Sequence, residues 1–214
     1  MKVIAVPVKL LVEAKSRLAP VLSPLERGAL TLAMVEDVLD ATLGLAGWET
    51  WVISPDEAVL EVAARRGAVT ITEDKPPLSN AVRQLEDQAQ ERGAETLAIL
   101  LGDTPLVTTA ALTRALHTLG PVVLAPDDEE VGTNLLVRRP PKIVRARFGS
   151  ESFRKHLETA ALADVPAAVV HIPDLAFDLD APSDILTLLR TRRHGRTREV
   201  CEEMDLRARI GVRA

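Results

Sequence analysis

The sequence predicts a single α/β domain wound around a mostly parallel, mixed sheet, and three observations carry that prediction. Short apolar, β-rich runs alternate with longer amphipathic stretches, as in successive βαβ units. Several amphipathic stretches open with capping signals. The apolar runs also sit in apolar surroundings, as strands do when helices cover both faces of a sheet. At 214 residues the chain makes one domain with at most an appendage. That length buries roughly 70% of the unfolded surface without help from a disulfide or structural metal.

The strand candidates, in order, are Val3–Val8, Thr50–Ser54, Ala68–Thr72, Thr96–Leu101, Val122–Ala125, Asn134–Val137 and Ala167–Ile172. The longest helical stretch runs from Pro24 to about Leu45. Ser23-Pro24-Leu25-Glu26 opens it with a cap serine, a proline at the first helical position and a glutamate three residues after the cap. Ser54-Pro55-Asp56-Glu57 repeats that signal, so Ser54 is expected to cap the next helix. Beyond about Gly120 the strands crowd together, which predicts an antiparallel insertion in the later half. Helices are expected at Ser152–Leu162, with Ser150 as a candidate cap, and at Pro182–Leu189. The composition breaks after Leu189, dividing the chain into a domain over 1–189 and a basic, helical tail over 190–214.

Composition excludes several classes. Five aromatics in the whole chain leave no stacking platform for single-stranded nucleic acid. The lone Cys201 rules out an internal disulfide and a thiolate metal cluster and suits a reducing cytoplasm. No apolar stretch approaches the roughly 20 residues of a membrane span, and Lys9 interrupts the N-terminal run before a signal peptide could form. The net charge is −5. Eight arginines against four acids make the tail about +4, which leaves about −9 on the rest. A body that acidic attracts no phosphate through its overall field, so an anion site needs a local cluster of cations. The four histidines are scattered without a motif, and His171 reads as a structural residue within a strand.

Four segments carry chemistry. Asp103, in Leu-Gly-Asp103-Thr-Pro, follows the most apolar strand, and ligands of open α/β sheets sit beyond the carboxyl ends of strands. Its alternative role is to cap a following helix. Asp178 and Asp180 flank Leu179 in an extended segment, which turns both carboxylates one way. Two such charges repel unless a cation intervenes, and an all-oxygen donor set favours Mg²⁺. The alternative has Asp180 opening the Pro182 helix. Lys9, Lys15 and Arg17 place three cations in nine residues at the end of the first strand, which suits a polyphosphate. Gly132-Thr133-Asn134 and Arg147-Phe148-Gly149-Ser150-Glu151-Ser152 offer amides and hydroxyls where a small anion could bind. Neither a phosphate-loop motif nor a dinucleotide fingerprint is present.

In order and spacing these segments resemble the guanylyltransferases of deazaflavin coenzyme F-420 biosynthesis, which act on 2-phospho-L-lactate or phosphoenolpyruvate. The likeness runs from about Val3 to Leu189. It rests on Pro-Val-Lys9, Ala-Lys15-Ser-Arg17-Leu-Ala, Leu-Ala-Met34-Val-Glu-Asp37, Gly-Asp103-Thr-Pro-Leu, Gly132-Thr133-Asn134, Arg147-Phe-Gly149-Ser-Glu-Ser152-Phe and Asp178-Leu-Asp180-Ala-Pro. The resemblance implies a nucleotidyltransferase fold of the glycosyltransferase-A type. It implies a reaction of GTP with a phosphorylated three-carbon acid, phosphoenolpyruvate first and 2-phospho-L-lactate second, with release of pyrophosphate. By the same likeness Asp103, Asp178 and Asp180 hold Mg²⁺; Lys9, Lys15, Arg17 and Asn80 hold the nucleotide; and Thr133, Gly149 and Ser152 hold the acid. Lys15 and Arg17 join Asp103 as catalytic groups. The chain departs from the family where Ser79-Asn80 stands in place of Leu-Asn, and in the more acidic loop from Asp127 to Gly132. Other expectations are a molybdopterin or sugar-phosphate acceptor, a non-catalytic nucleotide-binding module, no nucleic acid or membrane partner, and a homodimer through the tail.

Overall fold

The seven apolar runs form seven strands: β1 (Lys2–Pro7), β2 (Glu49–Ser54), β3 (Val69–Thr72), β4 (Thr96–Leu100), β5 (Val122–Pro126), β6 (Thr133–Arg138) and β7 (Ala167–Val169). They come from a computed structural model that describes residues 1–211. The strands make one sheet in the order β3-β2-β1-β4-β6-β5-β7. β6 alone runs antiparallel to its neighbours, β4 and β5, while the other pairs are parallel. This is the mixed sheet with a late antiparallel insertion that the crowded strands predict.

Central position follows from two-sided burial. On β1, Ile4 and Val6 enter one core while Val3 and Ala5 enter the other, and on β4 Ala98 and Leu100 alternate with Leu97 and Ile99. A strand with no polar face has no place at a sheet edge. The chain moves outward from β1 through β2 to β3 and then returns to β4 on the far side. Strand order therefore reverses between β1 and β4, and a crevice opens beyond their carboxyl ends.

Nine α-helices surround the sheet among the described residues: α1 (Pro24–Leu43), α2 (Glu57–Arg66), α3 (Leu78–Glu91), α4 (Thr109–Leu116), α5 (Ser152–Leu162), α6 (Pro173–Ala176), α7 (Pro182–Arg190), α8 (Arg196–Glu203) and α9 (Leu206–Gly211). Ser23 caps α1 in a reciprocal capping box with Glu26. Ser54 does not cap α2. It is held in the β2–β3 ladder opposite Thr72, so the helix starts later and Asp56 caps it by accepting from the Ala58 N–H. Ser150 does not cap α5 either; Glu151 holds that position with φ of 53° and no side-chain capping bond. His171 lies beyond the end of β7 as an exposed residue 3.5 Å from Glu130, not within a strand.

Helices α8 and α9 share a core with α1. Val200, Cys201, Leu206 and Ile210 share a core with Leu30 and Met34. Much of their basic charge is paired, Arg196 with Glu199 and Glu203 and Arg198 with Glu202 within the tail, and Arg209 with Glu26 of α1. Burial pushes the Cys201 thiol up to about 12, so it stays protonated.

Candidate active site

β1 and β4 deliver the two halves of the site. After β1 the chain makes two short 3₁₀ turns, Leu11–Glu13 and Ser16–Leu18, with Lys15 between them at φ of 52°. The left-handed region costs a lysine roughly 1 kcal/mol or more. The side chain shows what offsets that cost. Lys15 is nearly buried, and its Nζ donates to Asp103 Oδ2 at 2.8 Å and to Asp180 Oδ1 at 2.6 Å. Burial works against the ammonium, but Asp103 and Asp180 outweigh it and raise the lysine pKa above its ordinary value. Lys15 is therefore a fixed positive charge.

Asp103 follows β4 through Gly102, where an added Cβ would lie 3.3 Å from both Val6 and Val8 of the neighbouring segment. A side chain here would push those valines back by a few tenths of an ångström, so glycine eases the close approach of the two strand exits. Asp103 caps no helix, because α4 starts six residues later with Thr108 as its cap. Its main-chain oxygen accepts from Leu179 N at 3.0 Å, which ties it to the Asp178–Asp180 segment. Leu179 is fully buried. Asp180 is not a helix cap: the Asp184 carboxylate accepts from Asp180 N and Ala181 N at 2.8 and 2.6 Å. The Asp180 carboxylate thus stays available to Lys15 and, at 3.8 Å, to Arg17. Burial, followed by the charges of Asp103 and Asp180, pushes the Asp178 carboxyl up to about 6, against Lys15 and the Asn134 amide.

The donor set is hard oxygen only. Asp103 Oδ1 is buried with no hydrogen-bond partner, and Lys15 supplies the cation that two of the carboxylates share. Among the described residues, no three His, Cys, Asp or Glu side chains converge as a complete metal cage. The arrangement fits a divalent ion that takes one or two carboxylates and completes its shell with substrate oxygens, as Mg²⁺ does at phosphate sites. It does not fit a cage of three carboxylates.

Two adjoining clefts receive these groups. The first, about 340 Å³, is lined by Lys9, Lys15, Arg17, Asp103 and Asp180. The second, about 510 Å³, shares Pro7, Val8, Lys9, Glu13 and Leu78 with it and adds Glu73, Pro76, Pro77, Ser79, Phe148 and Gly149. Burial pushes the Glu73 carboxyl up there. Asn80 lines neither cleft. Its amide donates to Pro76 O at 2.7 Å, and Ser79 faces the cavity instead.

Thr133 and Ser152 are both buried and line neither cleft; Phe153 N donates to Val131 O at 3.1 Å, which ties their segments together, and Leu101 N donates to Asn134 O at 3.0 Å. That second bond places the start of β6 against the exit of β4, two residues from Asp103. Gly149, at φ of 115°, opens onto the second cleft. The acidic loop before β6 folds on itself, with Asp127 accepting from Val131 N and Gly132 N.

Compared with known proteins, residues 1–210 match the family described as guanylyl transferase CofC like. The chain belongs to this family. Relatives of this CofC-like chain include the phosphoenolpyruvate guanylyltransferase of Sphaerobacter thermophilus, 40% identical over 84% of this chain and 88% of that one. That of Rubrobacter xylanophilus is 41% identical over 86% and 91%. The 3-phospho-D-glycerate guanylyltransferase of Phenylobacterium zucineum is 35% identical over 92% and 93%. A nucleotidyl transferase from Methanothermobacter thermautotroptrophicus shares the fold, with a TM-score of 0.68, 19% identity and coverage of 88% of this chain and 95% of that one. The family match extends into the tail, beyond the Val3–Leu189 stretch on which the sequence resemblance rests.

Two residues of the CofC-like chain escape sequence reading. His156, one turn after Ser152, contacts Thr133 and Arg147. Asp37, although it sits within a resemblance segment, turns out to bind the backbone of α8. In each case the partners are distant in sequence, and only the folded chain brings them together.

Proposed function

We propose that this chain transfers the guanylyl group of GTP to the phosphate of a three-carbon acid and releases pyrophosphate. Phosphoenolpyruvate is the first candidate acid and 2-phospho-L-lactate the second, in a cytoplasmic step of deazaflavin coenzyme F-420 biosynthesis. The observation that carries this reading is the buried Lys15 ammonium joined to Asp103 and Asp180 beyond the reversal of strand order. The guanylyltransferase relatives at 40% and 41% identity, both named for phosphoenolpyruvate, support the choice of acid.

Charge sets the mechanism. A phosphomonoester is largely dianionic near pH 7, its second pKa being about 6, so the attacking oxygen needs no base. That oxygen forms a bond to the α-phosphorus of GTP, the bond from the α-phosphorus to its bridging oxygen breaks, and the electron pair leaves with pyrophosphate. The barrier is the approach of two anions, so rate comes from positioning and charge compensation. Lys15 holds one positive charge in place, Arg17 offers a fork for phosphate oxygens, and Lys9 stands at the wall common to both clefts. One or two of the carboxylates of Asp103, Asp178 and Asp180 would hold Mg²⁺, with substrate oxygens completing its shell, and the ion when bound would supply positive charge against the phosphates. The second cleft is the more apolar and suits the base, and its Gly149 wall, with Thr133 and Ser152 of the adjoining segments, receives the acid.

A pyrophosphate-release assay crossing GTP, CTP and ATP with phosphoenolpyruvate, 2-phospho-L-lactate and 3-phospho-D-glycerate tests the reading. Release with GTP and phosphoenolpyruvate above every other pair is the expected result. Preference for another nucleotide, or release independent of any acid, overturns it.

A further inference from the structure

The three groups assigned to the acid come from separate segments: Thr133 from the start of β6, Gly149 from the loop after it, and Ser152 from the start of α5. One side chain joins them. His156 lies on α5, one turn after Ser152, and is 1% exposed. Its Nε2 lies 2.8 Å from the Arg147 N–H and its Nδ1 lies 3.0 Å from Thr133 Oγ1. The Phe148 ring meets the imidazole edge-on at 5.1 Å.

The bonding leaves one tautomer. A main-chain N–H can only donate, so Nε2 must carry a lone pair, and the ring proton sits on Nδ1. Nδ1–H then donates to Thr133 Oγ1, and the hydroxyl hydrogen of Thr133 is left for another acceptor. We propose that His156 is the positioning residue of the acid site: it fixes Thr133 relative to the Arg147–Gly149 segment and turns the Thr133 hydroxyl into a donor toward a carboxylate or phosphate oxygen of the acid. The inference rests on the guanylyl-transfer reading above. Burial, then Arg138 and Arg147, lower the His156 pKa to about 4, so this bonding persists throughout the neutral range.

His156→Gln keeps an acceptor near the Nε2 position and loses the donor at Nδ1, whereas His156→Asn keeps a donor near Nδ1 and loses the Nε2 acceptor. The expected result for H156Q is a rise of about tenfold in the KM for phosphoenolpyruvate, the loss of one bond to a charged ligand group. The KM for GTP and kcat should stay within about twofold. Thr133→Val should raise the same KM, and H156Q added to T133V should raise it no further, because both act on one hydroxyl. Additive effects, or an equal rise in the KM for GTP, contradict the proposal. If H156Q does not fold, H156N, which keeps the bond to Thr133 but loses that to Arg147, decides: a KM between those of wild type and T133V supports the positioning role, and one as high as that of T133V overturns it. Wild-type enzyme that releases no pyrophosphate with any acid overturns the parent reading and this inference together. An active wild type with an unaffected H156Q overturns this inference alone.

Discussion

Lys15 is the residue on which the site turns. Its ammonium is the charge that lets Asp103 and Asp180 face one point, and the chain holds a left-handed lysine to place it there. Lys15→Met is expected to leave the carboxylates facing each other without compensation and to cut pyrophosphate release by at least about 100-fold. Because Asp180 is partly exposed, water screens some of that repulsion, and the loss of stability should be modest, about 1–2 kcal/mol. Steady-state kinetics and urea unfolding on the same preparation check both numbers, and near-wild-type turnover would remove Lys15 from the chemistry. His156 gives a prediction in pH. Its folded pKa of about 4 lies below the ordinary imidazole value near 6.5. Between those values the unfolded chain binds the extra proton, so His156 lends stability above about pH 6.5 and loses it as pH falls toward 4. The stability difference between wild type and H156Q should therefore shrink across that window, by up to roughly 3 kcal/mol. A difference that stays constant or widens contradicts a neutral buried imidazole. His156 itself was invisible in the sequence: its partners lie 9 and 23 positions away, and a single histidine on a helix carries no periodic signal. Lys15 and Asp103 were legible as charges beyond the ends of β1 and β4, and Asp180 as one of two carboxylates turned the same way in an extended segment.

At the scale of the element, the strands were legible because two-sided burial writes continuous apolar runs, and helix starts were legible only where the strand ended on time. Ser23 behaves as its motif predicts, whereas the same motif at Ser54 fails because pairing with Thr72 holds that serine in the sheet. The tail shows what a local reading misses. Gly195 offers α8 no capping side chain, and Asp37 of α1 supplies the cap from 159 positions away, accepting from Arg196 N at 2.6 Å and Thr197 N at 2.9 Å. Asp37→Ala should cost about 1–2 kcal/mol, a fall of roughly 3–6 °C in Tm. Asp37→Asn, which keeps one acceptor, should lose about half as much. Thermal unfolding followed by circular dichroism checks this, and an unchanged Tm for D37A contradicts the capping role.

At the scale of the whole molecule, one sheet reversal does most of the placing. With strand order reversing between β1 and β4, and β6 entering beside β4, three carboxylates and a lysine from three regions of sequence meet beyond the carboxyl ends of the central strands. Composition foresaw the need for such a local cluster, since a body near −9 repels phosphate everywhere else. It could not foresee how the carboxylates would be shared, two on the ammonium and Asp178 pushed up to about 6, because sharing depends on distances that only folding sets. Chelation of divalent ions should abolish pyrophosphate release, and added Mg²⁺ should restore it without a change in Tm above a few degrees; full activity in chelator would contradict a metal held by carboxylates of this cluster. The most direct measurement of the central claim is pyrophosphate release from GTP and phosphoenolpyruvate by wild type and Asp103→Asn, each with its unfolding curve. The expected result is release by the wild type and a loss of at least about 100-fold in D103N at unchanged Tm; a folded D103N that keeps most of the wild-type rate would contradict it.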